Sequence, residues 1–142
     1  MTDWQFSFEE DEKLQVELDA GLDASNLETL GFEPDRTLVY INIAKRDDKG
    51  LVAGLDGKGR ASSDWFYINA LYVRPDQRRK VLGLALIEQC AEQARAKGFK
   101  GLTVQTMAFQ AAAFYREAGF EQFAMLEGDI AGHNRYYFKK RI

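Results

Sequence analysis

The run Tyr72-Val73-Arg74-Pro75-Asp76-Gln77-Arg78-Arg79-Lys80-Val81-Leu82-Gly83-Leu84-Ala85-Leu86 joins the end of an apolar strand to a basic turn and the start of an amphipathic helix. Upstream, Asp64 to Val73 alternates, with Trp65, Tyr67, Asn69, Leu71 and Val73 on one expected face and Phe66, Ile68, Ala70 and Tyr72 on the other. Arg74-Pro75 ends that strand, because proline removes a ladder donor and restricts the residue before it. Downstream, Gly83, Leu86, Ile87, Cys90 and Ala94 recur at helical spacing, predicting a helix from about Lys80 to Lys97 that stops at Gly98. A helix start leaves backbone N–H groups unpaired and carries partial positive charge, so it holds phosphate oxygens readily. Arg78, Arg79 and Lys80 sit at that start, where they oppose the helix dipole. A bound anion would remove the conflict, and a solvated basic turn is the alternative reading. Gly83 lets another backbone or a ligand approach the first helical turn closely.

Working outward, Trp4, Phe6 and Phe8 alternate like a short strand. Leu14 and Leu18 then predict a helix stopping at Gly21, and Ser25 to Leu30 a second short helix closed by Gly31. Pro34 marks the turn into a strand over Thr37 to Ala44, apolar enough on both sides to be expected at the centre of a sheet. Lys45 to Gly50 reads as a charged hairpin turn, Leu51 to Leu55 as a strand, and the run with Gly54, Gly57 and Gly59 as a flexible loop. Gly101 to Thr106 is a further strand, Phe109 to Ala118 a short helix, Phe120 to Leu126 a strand and Arg135 to Lys140 the last strand. The expected class is α/β (α+β): a mixed, mostly antiparallel central sheet flanked by helices.

The chain's 142 residues, 46% of them hydrophobic, suit a single domain over residues 1–142. No secretory pattern opens the chain and no stretch approaches the roughly 20 apolar residues of a membrane span, so a cytoplasmic protein without a membrane partner is expected. Cys90 is alone, without His or Cys at ligand spacing, so neither an internal disulfide nor a metal site is expected. Residues 1–35 hold 11 of the 22 acids and one base, for a charge of −10, while the remainder carries +7. A basic body suits a polyanionic ligand and an acidic front end a cationic one, although acids at a helix start are also favoured by its dipole. Nucleic acid is not an expected partner, since the aromatics fall at strand periods rather than beside the basic residues and the front end would repel phosphate.

Two segments together resemble the GNAT superfamily of N-acetyltransferases, in particular its small bacterial members. The first is Leu71-Tyr72-Val73 followed by Arg78-Arg79-Lys80-Val81-Leu82-Gly83, similar to the family's acetyl-CoA signature, with Val81 standing where the first glycine usually is. The second is Phe114-Tyr115-Arg116-Glu117-Ala118-Gly119-Phe120, with Ala111 four before the tyrosine and Ala108 where an asparagine is often found. The ending Gly132-His133-Asn134-Arg135-Tyr136-Tyr137-Phe138 resembles the family's C-terminal hairpin.

The resemblance implies the acyl-CoA N-acyltransferase fold, with acetyl-CoA as cosubstrate. It would lie in a gap where the strand ending at Val73 splays from the strand of Leu102 to Val104. Leu71, Tyr72 and Val73 would meet the pantetheine arm, with Phe114 nearby. Arg78, Arg79, Lys80, Val81, Leu82, Gly83 and Leu84 would hold the pyrophosphate, largely through N–H groups. Tyr115 would be the general acid for the departing thiolate, where the residue alone reads as a core aromatic. The base is open. The strand position facing the site is Asn69, which cannot accept a proton and would position substrate or water. His133 is the one histidine, a base or substrate contact or else an exposed loop residue, and Asp64, Glu127 and water are further options. The acceptor would be a small cationic amine, given the acidic front end, or a protein amine. A non-catalytic acyl-CoA-binding module is the competing function, and an exposed edge at Tyr136 to Phe138 would allow a homodimer.

Overall fold

The computed structural model describes residues 3–78, 81–107 and 109–142. They fall into two compact units, one up to Pro34 and one from Asp35 to Ile142.

The first unit holds a single helix, α1 (Glu12–Leu30). Asp11 caps it, its Oδ1 accepting from the Leu14 N–H at 2.9 Å, and Gly31 closes it at φ 76° with its N–H on the Leu27 carbonyl. Two helices separated at Gly21 were expected. The helix instead runs through Gly21, because a glycine stops a helix by turning left-handed and only Gly31 does so here. The expected strand at Trp4, Phe6 and Phe8 does not form, and all three side chains are exposed. Alternation alone makes no strand without a neighbour to complete the ladder.

The second unit contains β1 (Leu38–Asp47), β2 (Gly50–Arg60), β3 (Trp65–Val73), α2 (Leu82–Ala96), β4 (Gly101–Met107), α3 (Ala112–Glu117), β5 (Glu121–Ile130) and β6 (His133–Arg141). The sheet order is β1-β2-β3-β4-β6-β5, antiparallel throughout except for the β3–β4 pair joined by α2. The expected mixed, mostly antiparallel sheet is therefore present. β1 is an edge rather than a central strand: Val39, Ile41 and Ile43 face the core, whereas Leu38 and Tyr40 are exposed. β6 lies between β4 and β5, so Tyr136 to Phe138 is interior and the outer edge is β5.

One face of the sheet carries the core, in which Phe66, Ile68, Leu102 and Phe138 meet Ile87, Cys90 and Ala94 of α2 and Tyr115 of α3. The glycine run expected as a flexible loop is part of β2. A Cβ at Gly59 would fall 2.6 Å from the Phe99 ring, and one at Gly57 would meet the Tyr67 carbonyl oxygen first and the Phe66 ring at 2.6 Å. These glycines admit aromatic rings against the strand, so they pack rather than loosen it.

Register in β3 positions everything that follows. Asp56 of β2 is opposite Ala70, whereas Gly57 is opposite Ile68, which leaves Asn69 as the extra residue of a bulge. The bulge reverses the alternation, so Phe66, Ile68, Leu71 and Val73 all face the core. The expected grouping of Leu71 and Val73 with Trp65 and Tyr67 is thereby overturned. β3 pairs with β4 only from Trp65–Ile68 to Gly101–Val104, while β4 continues beside β6 as far as Met107. Beyond Ile68 the two parallel strands separate.

Candidate active site

The separation opens a cavity of about 890 Å³ between Asn69–Val73 of β3 and Val104–Thr106 of β4, closed at its ends by the start of α2 and by α3. That volume lies within the range of small-molecule sites. With no strand beside it here, the outer edge of β3 turns alternate N–H and C=O groups toward the cavity. An extended ligand carrying amides can complete that ladder.

The basic turn stands at one end. Arg78 lines the cavity and its Nε donates to the Val73 carbonyl at 3.0 Å, folding the turn back onto the strand end. Arg74 holds the same end from outside, with its guanidinium on Asp47 at 2.7 Å and on Asp76 at 2.7 Å. It draws the Asp47 carboxyl down to about 2 and lowers that of Asp76. Arg79 and Lys80 lie outside the described residues. α2 begins two residues later than expected, after Val81, which has no side-chain capping bond and sits at φ 58°, ψ 12°. That is the left-handed region, costly for a β-branched residue and ordinary for glycine. Among the described residues no side chain caps the first-turn N–H groups of α2, which stand beside the cavity wall formed by Val81, Leu82, Gly83 and Leu84. What approaches Gly83 is Phe114, whose ring would stand 2.8 Å from a Cβ at that position.

α3 starts at Ala112 rather than Phe109 because the preceding loop is latched by side chains. The Gln110 Oε1 accepts from the Met107 N–H at 3.1 Å and from the Thr106 hydroxyl at 3.3 Å, and the Thr106 Oγ1 accepts from the Ala111 N–H at 3.4 Å. Ala108 lies outside the described residues. The latch aims Phe114 and Tyr115 at the cavity, which both line. Tyr115 is 5% exposed, and its ring packs against Phe114, Phe120 and Phe138 with centroids 5.2, 5.5 and 6.0 Å away. Burial pushes its phenol up to about 12, so it keeps its proton across the neutral range.

The structure brings together Asn69, Leu71, Tyr72, Val73, Arg78, Val81, Leu82, Gly83, Leu84, Phe114 and Tyr115 around one cavity. His133 is not among the lining residues. It is exposed at the start of β6 and stacks edge-to-face on Phe109, with centroids 4.8 Å apart, and Phe109 does line the cavity. Asp64 precedes the paired end of β3, where its carbonyl accepts from the Lys100 and Gly101 N–H groups, away from the splayed end. Glu127 is exposed on β5 and does not line the cavity. Sequence reasoning missed Asp56, whose Oδ1 and Oδ2 accept from the Asn69 Nδ2 at 3.2 and 3.3 Å. Its glycine-rich surroundings read as a loop, and the alternation of Lys58, Asp56 and Gly54 on one face was the available signal. Among the described residues no group of His, Cys, Asp and Glu could hold a metal ion, and no helix is long and apolar enough to cross a membrane.

The chain is 29% identical over 119 residues to an acetyltransferase of Agrobacterium fabrum, Atu2258, covering 84% of each sequence. The crystal structure of an acetyltransferase from Bacillus cereus superposes with a TM-score of 0.78 at 21% identity, over 96% of this chain and 98% of that one. An aminoglycoside 6′-N-acetyltransferase complexed with coenzyme A superposes with a TM-score of 0.65 at 14% identity, over 83% and 78% of the two chains. A description of the acetyltransferase (GNAT) family matches residues 1–120. With that match on a sheet that splays beside an uncapped helix start, the chain belongs to the GNAT family of acetyltransferases.

Proposed function

We propose that this protein transfers the acetyl group of acetyl-CoA to a primary amine by direct attack in a ternary complex. The observation that carries the reading is the parting of β3 from β4 after Ile68, which leaves a strand edge free beside the start of α2. The residues present fit the cosubstrate. The edge over Leu71 to Val73 would pair with the pantetheine amides, and Arg78 with the first-turn N–H groups of α2 would take the pyrophosphate.

Acetyl-CoA supplies an acyl group activated as a thioester. An N–H of the bulged strand near Leu71 would polarise the acyl carbonyl, stabilising negative charge as it develops there. The acceptor nitrogen forms the new C–N bond, the C–S bond breaks, and the nitrogen gives up one proton while the sulfur gains one. Tyr115 enters with its phenol held near 12, whereas an ordinary thiol lies near about 8.5. At that gap the phenol serves as a hydrogen-bond donor to the departing sulfur, and proton transfer proper follows from the amine or water. Asn69 would orient the incoming nitrogen or a water beside the bulge.

Calorimetry with acetyl-CoA followed by a thiol-release assay over an amine panel tests this. Binding with turnover on at least one amine is expected. Binding without turnover on any amine would favour the acyl-CoA-binding module instead.

A further inference from the structure

We propose that Asp56 anchors a second cationic group on the acceptor, so that the preferred substrates are diamines or larger polycations acetylated at one nitrogen. This rests on the acetyl-transfer reading above. Asp56 stands across from Ala70 at the β2–β3 bulge, and both of its carboxylate oxygens accept from the amide of Asn69, which lines the cavity. The carboxylate fixes which way that amide faces, because turning the Asn69 oxygen toward it would set acceptor against acceptor. One NH₂ group leaves most of the acceptor positions of the carboxylate unused. Lys58 follows two residues along the same strand face and Asn42 is opposite on β1, yet among the described residues no cation pairs with Asp56.

Asp56 is not among the lining residues of the cavity, so it stands one side chain back from where the reacting nitrogen must lie. Ammonium groups ordinarily titrate near about 10.4, and a carboxylate beside one stabilises the charged form, which cannot attack. The same carboxylate suits a nitrogen that must stay charged while a neighbouring one, released from its proton, reaches the gap. Asn69 then acts as a positioning residue between the two, holding Asp56 toward the acceptor and its own amide at the cavity wall.

The test compares diaminobutane with butylamine as acceptors, in wild type, Asp56→Asn and Asp56→Ala, with acetyl-CoA affinity measured in parallel. Wild type should favour the diamine in kcat/KM by about fivefold, the scale of an exposed ion pair. Both variants should bring that ratio close to one, chiefly through the KM for the diamine, with acetyl-CoA affinity unchanged. Asn69→Ala should lower the ratio part of the way. A preference that survives in both variants, an equal loss on both amines, or no preference in wild type overturns the proposal. Failure of wild type to bind acetyl-CoA defeats the acetyl-transfer reading itself, and this inference with it.

Discussion

Gly83 of α2 lies directly under the ring of Phe114, close enough that a Cβ at 83 would stand 2.8 Å from one ring carbon and 3.0 Å from the next. The contact joins the helix that begins at the basic turn to the helix that carries Tyr115. Gly83→Ala should therefore destabilise the fold by about 1–2 kcal/mol, the cost of a modest overpacking. Denaturant unfolding measures it. Adding Phe114→Leu to Gly83→Ala should recover part of the loss, and strictly additive effects would show that the contact is not what limits residue 83.

Val81 is held at φ 58°. A left-handed β-branched residue costs roughly 1–2 kcal/mol, whereas glycine adds unfolded-state freedom worth about 0.5–1 kcal/mol. The first term is the larger, so Val81→Gly should stabilise the protein by about 0.5 kcal/mol. Acetyl-CoA should also bind more tightly, because the first turn of α2 would lose an exposed side chain beside its N–H groups. Urea unfolding and calorimetry check both; a loss of stability would place the residue in a conformation other than the one described.

Tyr115→Phe keeps the ring against Phe120 and Phe138 and removes only the hydroxyl. The expected result is a fall in kcat of about 10- to 100-fold, the scale of one removed donor or acid. Acetyl-CoA affinity should stay within about twofold, since the hydroxyl acts chiefly on the charge that develops on the departing sulfur. An unchanged kcat would assign Tyr115 to the core alone.

The same burial shapes the alkaline arm of stability. Burial raises the Tyr115 phenol to about 12 and the Cys90 thiol to about 12, above their ordinary values near about 10 and 8.5. Groups raised on folding contribute stability that is complete below their unfolded values and lost as pH climbs through the folded ones. Stability should thus decline from about pH 9 toward 12, with a shallower decline in Tyr115→Phe. On the acid side the sign reverses: Arg74 holds Asp47 near 2, so that contribution persists until pH falls from about 4 toward 2. Arg74→Gln should move acid unfolding, followed by circular dichroism, to higher pH.

Much of the site was legible because its parts are local. The apolar strand ending at Val73, the proline stop and the stripe Leu86-Ile87-Cys90-Ala94 each announce themselves within a few residues, whereas the Phe114-Tyr115 pair stood out only through its resemblance to a family segment. What escaped depends on partners far along the chain. The bulge at Asn69 exists only in register with Asp56 and Gly57, and it decides which side of β3 meets the core. Gly57 and Gly59 looked like loop because the rings they accommodate, Phe66 and Phe99, are not their sequence neighbours. Trp4, Phe6 and Phe8 showed the converse, a strand pattern with no ladder to join.

The acyl carrier is expected to lie where β3 and β4 part. Amide hydrogen exchange with and without acetyl-CoA tests this most directly. Protection should appear over residues 69–73 and in the first turn of α2, with little change in the β1–β2 hairpin. Saturating acetyl-CoA that leaves 69–73 unprotected, or protects the β1–β2 hairpin instead, would contradict it.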